Sequence, residues 1–281
     1  MARRALALFL FAFAGLAHAA LSGSIVDAAF VAKASSRGAI LWDVRSADLY
    51  RAGHLSGAVN IGHVADALLD EKTQLFLPIE TIAARLGEAG IDLKREIVVY
   101  GSSGSAFAYF AEFALDYFGA RKVHIFNDGF EGWRAAGRPV STKEVRRSPV
   151  RVRPFANPSM LITTGEVLAR VGSPRVQFVD VRRLGEFNGD ESETLHSGHI
   201  PGAVHVPYDA SLVDGKLRKT AALRKLYAGL DPRKETIVYC HTGVRAAMTA
   251  AILTRLGFRS VRVYHASWLE YGNLPDPPVE Q

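Results

Sequence analysis

The chain has 281 residues, of which 48% are hydrophobic and 22% charged, and its formal charge is +6. Such a composition belongs to a globular protein of one large or two small domains and excludes disordered, collagen-like and low-complexity classes. Arg3 and Arg4 supply two of the six charges. The rest is a mild excess without a dense Lys/Arg stripe interleaved with aromatics, which argues against nucleic acid and suits a small anion.

The chain opens with a basic Met1-Ala-Arg-Arg, followed by an apolar run of thirteen residues from Ala5 to Ala17 and a small-x-small site, Ala17-His18-Ala19. Residues 1–19 therefore read as a secretory signal peptide. The run is too short to cross a bilayer as a helix, and no Cys follows the cut site for a lipid anchor. The expectation is a soluble protein beginning near Ala20, periplasmic or secreted, with no membrane attachment after cleavage. Cys240 is its single cysteine. An internal disulfide is excluded, and a lone Cys in that setting is a buried small residue, an intermolecular partner or a reactive thiol.

The sequence then repeats itself. Ala39-Ile-Leu-Trp-Asp-Val-Arg45 with Gly53-His-Leu-Ser-Gly-Ala-Val59 returns as Val176-Gln-Phe-Val-Asp-Val-Arg182 with Gly198-His-Ile-Pro-Gly-Ala-Val204. Glu96–Tyr100 returns as Glu235–Tyr239, and Lys122–Phe126 as Ser260–Tyr264. The spacing lengthens between Asp180 and Gly198, which marks an insertion around Asn188 to His196. Self-similarity in this order means two copies of one domain, expected over 22–140 and 160–281. Between them, 141–159 has three prolines, five basic residues and one acid, Glu144, and reads as an extended linker on the surface. Within each copy, short β-branched runs alternate with helical patterns: Ile97–Tyr100 before Ala106–Phe118, and Thr236–Tyr239 before Arg245–Leu256. The class is α/β, each domain a mainly parallel sheet flanked by helices. Thr163-Thr-Gly-Glu166 has the form of a capping box.

Cys240 follows the strand Thr236–Tyr239, and ligands of open α/β sheets sit at the carboxyl ends of strands. The loop Cys240-His-Thr-Gly-Val-Arg245 leads into a helix. Backbone N–H groups and the helix N-terminus supply positive potential there, which stabilises a sulfur anion, and the thiolate is the nucleophile. In the first copy the equivalent place is Gly101, in Gly101-Ser-Ser-Gly-Ser-Ala106, so that copy cannot carry sulfur there. The Gly-x-Ser-x-Gly spacing of a serine-hydrolase elbow is also missing.

On these residues the chain resembles a tandem-domain rhodanese, the thiosulfate/3-mercaptopyruvate sulfurtransferase family. The resemblance rests on Asp180-Val-Arg182, Gly198–Ala203, the six-residue Cys240 loop and Ser267-Trp268-Leu-Glu-Tyr271. In the first half it rests on Asp43-Val-Arg45, Gly53-His54 and Asp128-Gly-Phe-Glu-Gly-Trp133. It implies an inactive first domain and a catalytic second one, in which Cys240 takes the outer sulfur of thiosulfate as a persulfide and passes it to cyanide or a thiol. No metal or organic cofactor is implied, and a monomer suffices. Arg182, which matches a site arginine of the family, and His241, Thr242, Gly243, Val244 and Arg245 are the expected contacts to a small anionic donor. Asp180, His199, Ser267 and Trp268 are expected as framework. His241 stands where the mercaptopyruvate-using branch has Gly, which favours thiosulfate, with 3-mercaptopyruvate as the alternative donor. His265-Ala-Ser-Trp268 stands where relatives often have Asp-Gly-Ser-Trp, which changes the loop near the site and leaves open whether His265 reaches it.

Two rival readings exist. A phosphatase or arsenate reductase on this fold needs five residues between Cys and Arg, whereas four separate Cys240 from Arg245. An exported persulfide carrier that serves a partner protein would use the same Cys240 loop.

Overall fold

A computed structural model describes residues 24–281, so the signal segment expected over 1–19 lies outside the described residues. Two four-stranded sheets organise the chain. In the first, Ser24–Val26, Lys122–Phe126, Glu96–Tyr100 and Ile40–Asp43 lie side by side in that order, every pair parallel. In the second, Ser260–Val263, Glu235–Tyr239, Val176–Asp180 and Val204–His205 are likewise all parallel. The repeated sequence blocks thus occupy matching strands, and Glu96–Tyr100 and Glu235–Tyr239 are inner strands in both sheets. The last four residues of each are fully buried, because helices cover both faces of a parallel sheet. This is the α/β architecture expected from the alternation of short apolar runs and helical patterns.

The two domains meet helix against helix. Ala106–Tyr117 and Val244–Arg255 each follow an inner strand and pack on one another. The first is apolar almost all round, with Ala108 to Leu115 buried without a break. A helix lying between two layers needs no polar face, unlike a surface helix. One hydrophobic cluster therefore runs from Ile40 and Trp42 through Phe110 and Met248 to Val263, across the domain boundary. The outer sheet faces have separate clusters, one around Leu41 and Tyr100, the other around Ile237 and Trp268.

Two turns cross between the domains. Leu212–Val213 and Lys216–Leu217 pair antiparallel across Asp214-Gly215. Both turn residues have positive φ, 52° and 70°, the two-residue connection that Asp-Gly favours. The Gly215 carbonyl accepts the Ser103 hydroxyl at 3.2 Å, and a Cβ on Gly104 would lie 2.6 Å from that oxygen. The second domain thus fills the thiol-free loop of the first. In the other direction Phe76, beside the turn that bridges it to Leu69, stacks on His265 with 4.5 Å between ring centroids.

Residues 142–157 have no helix or strand and follow the surface of the first domain. They are held by Val150 N–H to Gly87 O at 2.9 Å, Phe155 N–H to Phe118 O at 3.0 Å and Asn157 N–H to Tyr117 O at 2.8 Å. Thr163 and Glu166 make the reciprocal capping box at the next helix.

Inside the domain interface, the fully buried Glu112 carboxylate accepts a hydrogen bond from Arg255 of the other domain. Burial pushes Glu112 up to about 7 against the pull of Arg255. It binds its proton more tightly folded than unfolded, so its contribution to stability is full below about 4.5 and is lost as pH rises through about 7. Arg255→Met removes the counter-charge and is expected to cost about 3–5 kcal/mol at alkaline pH. The loss shrinks toward pH 6, where Glu112 takes up a proton instead. Urea denaturation of both proteins at pH 6 and pH 8.5 reads the difference.

Candidate active site

The Cys240 loop leaves the carboxyl end of the inner strand Glu235–Tyr239 and enters the helix Val244–Arg255. Cys240 has no exposed surface. Its sulfur accepts the Gly243 N–H at 3.1 Å, and the twelve-residue helix begins one residue later. Both supply positive potential at the sulfur. Gly243 has φ +84°, and a Cβ there would lie 2.3 Å from His265 Nδ1 and 2.6 Å from His265 O. Only glycine fits this position on conformation and on space.

The loop is tied from behind. The Cys240 N–H donates to Ser267 Oγ at 3.1 Å, and that hydroxyl donates to Tyr264 O at 2.7 Å. Trp268 N–H donates to Cys240 O and Leu269 N–H to His241 O, at 3.0 and 2.9 Å. Ser267 takes positive φ, 53°, in a region that non-glycine residues occupy at a cost. The first domain has the same tie in outline, since Phe130 N–H donates to Gly101 O at 3.0 Å. Gly101 is therefore the structural counterpart of Cys240.

Arg182 is 2% exposed. It bonds Asp180 through Nε and Nη2, the closest contact being 2.7 Å, and gives Nη2 to Gly198 O at 2.6 Å. Its guanidinium lies 4.4 Å from the Trp268 ring centroid. Arg45 repeats each contact in the first domain, with Asp43, Gly53 O and the Phe130 ring. A constellation that recurs where there is no thiol holds the strand ends together. Arg182 reaches the pocket wall with two of its three nitrogens already engaged. Glu186, four residues from Arg182, binds Arg245 at 2.8 and 3.0 Å.

A cavity of about 310 Å³ opens at the loop, with Arg182, Glu186, Glu193, His241, Arg245 and Trp268 among its walls. Burial works against the charge on Arg245, but Glu186 and the Cys240 sulfur outweigh it and raise its pKa. Burial alone would raise Glu186, yet the hydrogen bonds from Arg245 and from the Arg183 N–H bring it down to about 2. His241 is half-buried beside Glu193, 3.5 Å away. Its pKa is lowered, chiefly by burial. Thr242 is partly exposed in the loop, whereas the Val244 side chain packs into the shared core. His265 is nearly fully buried against Phe76 and Phe110, and neither ring nitrogen has a hydrogen-bond partner among the described residues. Burial lowers its pKa to about 4. His199 gives a ring nitrogen to Phe187 O at 3.0 Å and stacks on that ring. Among the described residues no group of three or more His, Cys, Asp or Glu is placed to hold a metal ion, and no helix is long and apolar enough to cross a membrane.

Comparison with known proteins matches a Rhodanese-like domain to residues 27–136 and again to 163–274. The chain is 37% identical over 245 residues to the thiosulfate sulfurtransferase of Corynebacterium glutamicum, covering 83% of this chain and 81% of that one. It is 34% identical over 245 residues to the putative thiosulfate sulfurtransferase of Mycolicibacterium smegmatis, covering 82% and 87%. Among solved structures, the 3-mercaptopyruvate sulfotransferase SseA of Escherichia coli superposes with a TM-score of 0.80 at 26% identity, over 87% of this chain and 98% of that one. An ergothioneine biosynthesis enzyme of Chlorobium limicola shares the fold, with a TM-score of 0.84 at 24% identity, over 92% and 70%.

Gly243→Ala is expected to destabilise the protein by about 3 kcal/mol or more, from the positive φ and the overlap with His265. It should also stop the thiol accepting sulfur, as chemical denaturation and intact mass would show. His265 is neutral in the fold down to about pH 4 but titrates at its ordinary 6.5 when unfolded. The stability this difference confers is full above pH 6.5 and is lost as pH falls through about 4, by roughly 3 kcal/mol. His265→Leu is expected to flatten that part of the stability–pH curve.

Proposed function

The chain belongs to the rhodanese family and is a sulfurtransferase, and we propose that it moves sulfane sulfur from thiosulfate to cyanide or a thiol through a persulfide on Cys240. The observation that carries this reading is the Cys240 sulfur held 3.1 Å from the Gly243 N–H at the start of a helix, with Arg245 beside it. The N–H and the helix N-terminus supply positive potential at this sulfur, and the thiolate is the nucleophile of such chemistry. In the first step the Cys240 thiolate attacks the outer sulfur of thiosulfate. A Cys–S bond forms, the S–S bond of thiosulfate breaks, and sulfite leaves with the bonding pair. In the second step cyanide or a thiolate attacks the outer persulfide sulfur, and the Cys240 thiolate departs as leaving group. No net proton or electron is needed from elsewhere.

Arg245 supplies the charge that receives the donor's sulfonate. Arg182, paired with Asp180, stands on the wall while it holds the strand ends. The Gly243 N–H of the loop holds the sulfur, and His241 and Thr242 stand beside it in the same loop. We place this activity outside the cytoplasm, in a monomer, on the export signal read at residues 1–19 and on a domain interface that already buries the apolar helix Ala106–Tyr117.

Intact mass after thiosulfate is the direct test. The expected result is a gain of one sulfur, erased by cyanide with release of thiocyanate and absent in Cys240→Ser. Cyanide separates the persulfide from oxidation to sulfinic acid, which adds a similar mass and is not reversed this way. Arg245→Gln is expected to lower kcat/KM for thiosulfate by about 10- to 100-fold, the value of a charge-assisted hydrogen bond. A gain with 3-mercaptopyruvate but none with thiosulfate would overturn the choice of donor. No gain with either would leave a carrier loaded by a partner.

A further inference from the structure

Arg245 does not wait for its donor with an open hand. Both terminal nitrogens of its guanidinium are bound to the two oxygens of Glu186, at 2.8 and 3.0 Å, in a bidentate pair on the wall of the 310 Å³ cavity. Glu186 is held in turn by the Arg183 N–H at 3.0 Å. Arg182, buried on the same wall, is matched by Asp180. Glu191 and Glu193 add two more carboxylates to the walls, against the single further cation Arg183. The cavity that receives a dianion therefore has no net positive lining. Arg245, whose charge acts on the Cys240 sulfur, is already paired with a carboxylate that presents two oxygens to the guanidinium as two oxygens of a sulfonate would.

We propose that Glu186 is a positioning residue that stands in for the donor's sulfonate in the resting enzyme. Arg245 exchanges Glu186 for the sulfonate when thiosulfate binds and returns to it when sulfite leaves. The proposal rests on the persulfide cycle described above. The exchange weakens donor binding, because every bound anion must displace a carboxylate, and it keeps the product from staying in the site. Thiosulfate and sulfite are both sulfur oxyanions and would otherwise compete for the same guanidinium. The exchange itself breaks and makes only hydrogen bonds. The covalent step remains the attack of Cys240 on the outer sulfur.

The test is a kinetic cycle on Glu186→Gln and Arg245→Gln. Gln keeps the oxygen that accepts the Arg183 N–H and removes the charge that competes for Arg245. In E186Q the KM for thiosulfate is expected to fall by roughly tenfold, and the inhibition constant for sulfite to fall by a similar factor. The KM shift should shrink in high salt. In the R245Q background the same substitution is expected to leave KM where R245Q alone puts it, which shows that Glu186 acts through Arg245. An E186Q protein whose KM rises or stays unchanged, with sulfite inhibition unaltered, would overturn the proposal. So would an equal fall in KM in the R245Q background. Intact mass of the unmodified protein after thiosulfate is read alongside. Persulfide on Cys240 with unmoved KM and sulfite inhibition in E186Q sinks the exchange alone, whereas no persulfide at all sinks the parent reading and the exchange with it.

Discussion

The close approach of Gly243 to His265 is the contact on which the site depends. The loop can turn from strand to helix with its N–H on the Cys240 sulfur only because the Gly243 Cα lies against the His265 backbone and ring. His265 in turn is wedged on its other side against Phe76 and Phe110 of the first domain. Three layers are thus stacked in order: the first domain, an imidazole with no hydrogen-bond partner among the described residues, and the catalytic loop. An unpaired polar ring in such a place is costly, and the ring is tolerated because burial keeps it uncharged. The first domain has no thiol of its own, yet it forms the back wall of the loop that has one.

Duplication supplies the rest of the frame. The buried pairs Asp43–Arg45 and Asp180–Arg182 each reach a glycine carbonyl and an aromatic ring, and each lies at the end of a sheet strand. Tyr100 and Tyr239 complete the match by accepting the N–H of Leu55 and Ile200, both at 3.1 Å. The copies diverge where the chemistry would be. In the first, the Asp214-Gly215 turn of the partner domain fills the loop and the Glu131 carboxylate accepts the Ser103 N–H at 2.7 Å. In the second, the loop opens on a cavity and its arginine is held by Glu186. One copy has become an interface and the other has kept a mouth.

Much of this could be read without coordinates, because it is written in local signals. The strand Thr236–Tyr239 and the helix after it follow from β-branched runs and periodicity, and they agree with the observed elements to within a residue at most ends. The Thr163–Glu166 capping box is likewise a local pattern. The position of Cys240 at a strand end follows from the same alternation. What could not be read are partnerships between distant segments. Glu186 and Arg245 are 59 positions apart, and nothing local chooses Arg245 over the nearer Arg182. The place of His265, against Phe76 of the other domain, depends on how two domains dock. Asp214-Gly215 is a legible hairpin signal, but its landing point on Ser103 is not.

The complete burial of the Cys240 sulfur has a consequence for the company this protein keeps. The chain has no second cysteine to resolve a loaded sulfur internally, and a sulfur without exposed surface cannot be met by the thiol of another macromolecule at random. The thiol itself is therefore shielded from the mixed disulfides that trap solitary cysteines on protein surfaces. The way to this thiol lies beside a 310 Å³ recess whose walls include His241 and Arg245 of the same loop. The recess acts as a sieve, and its size limits what the buried thiol can meet.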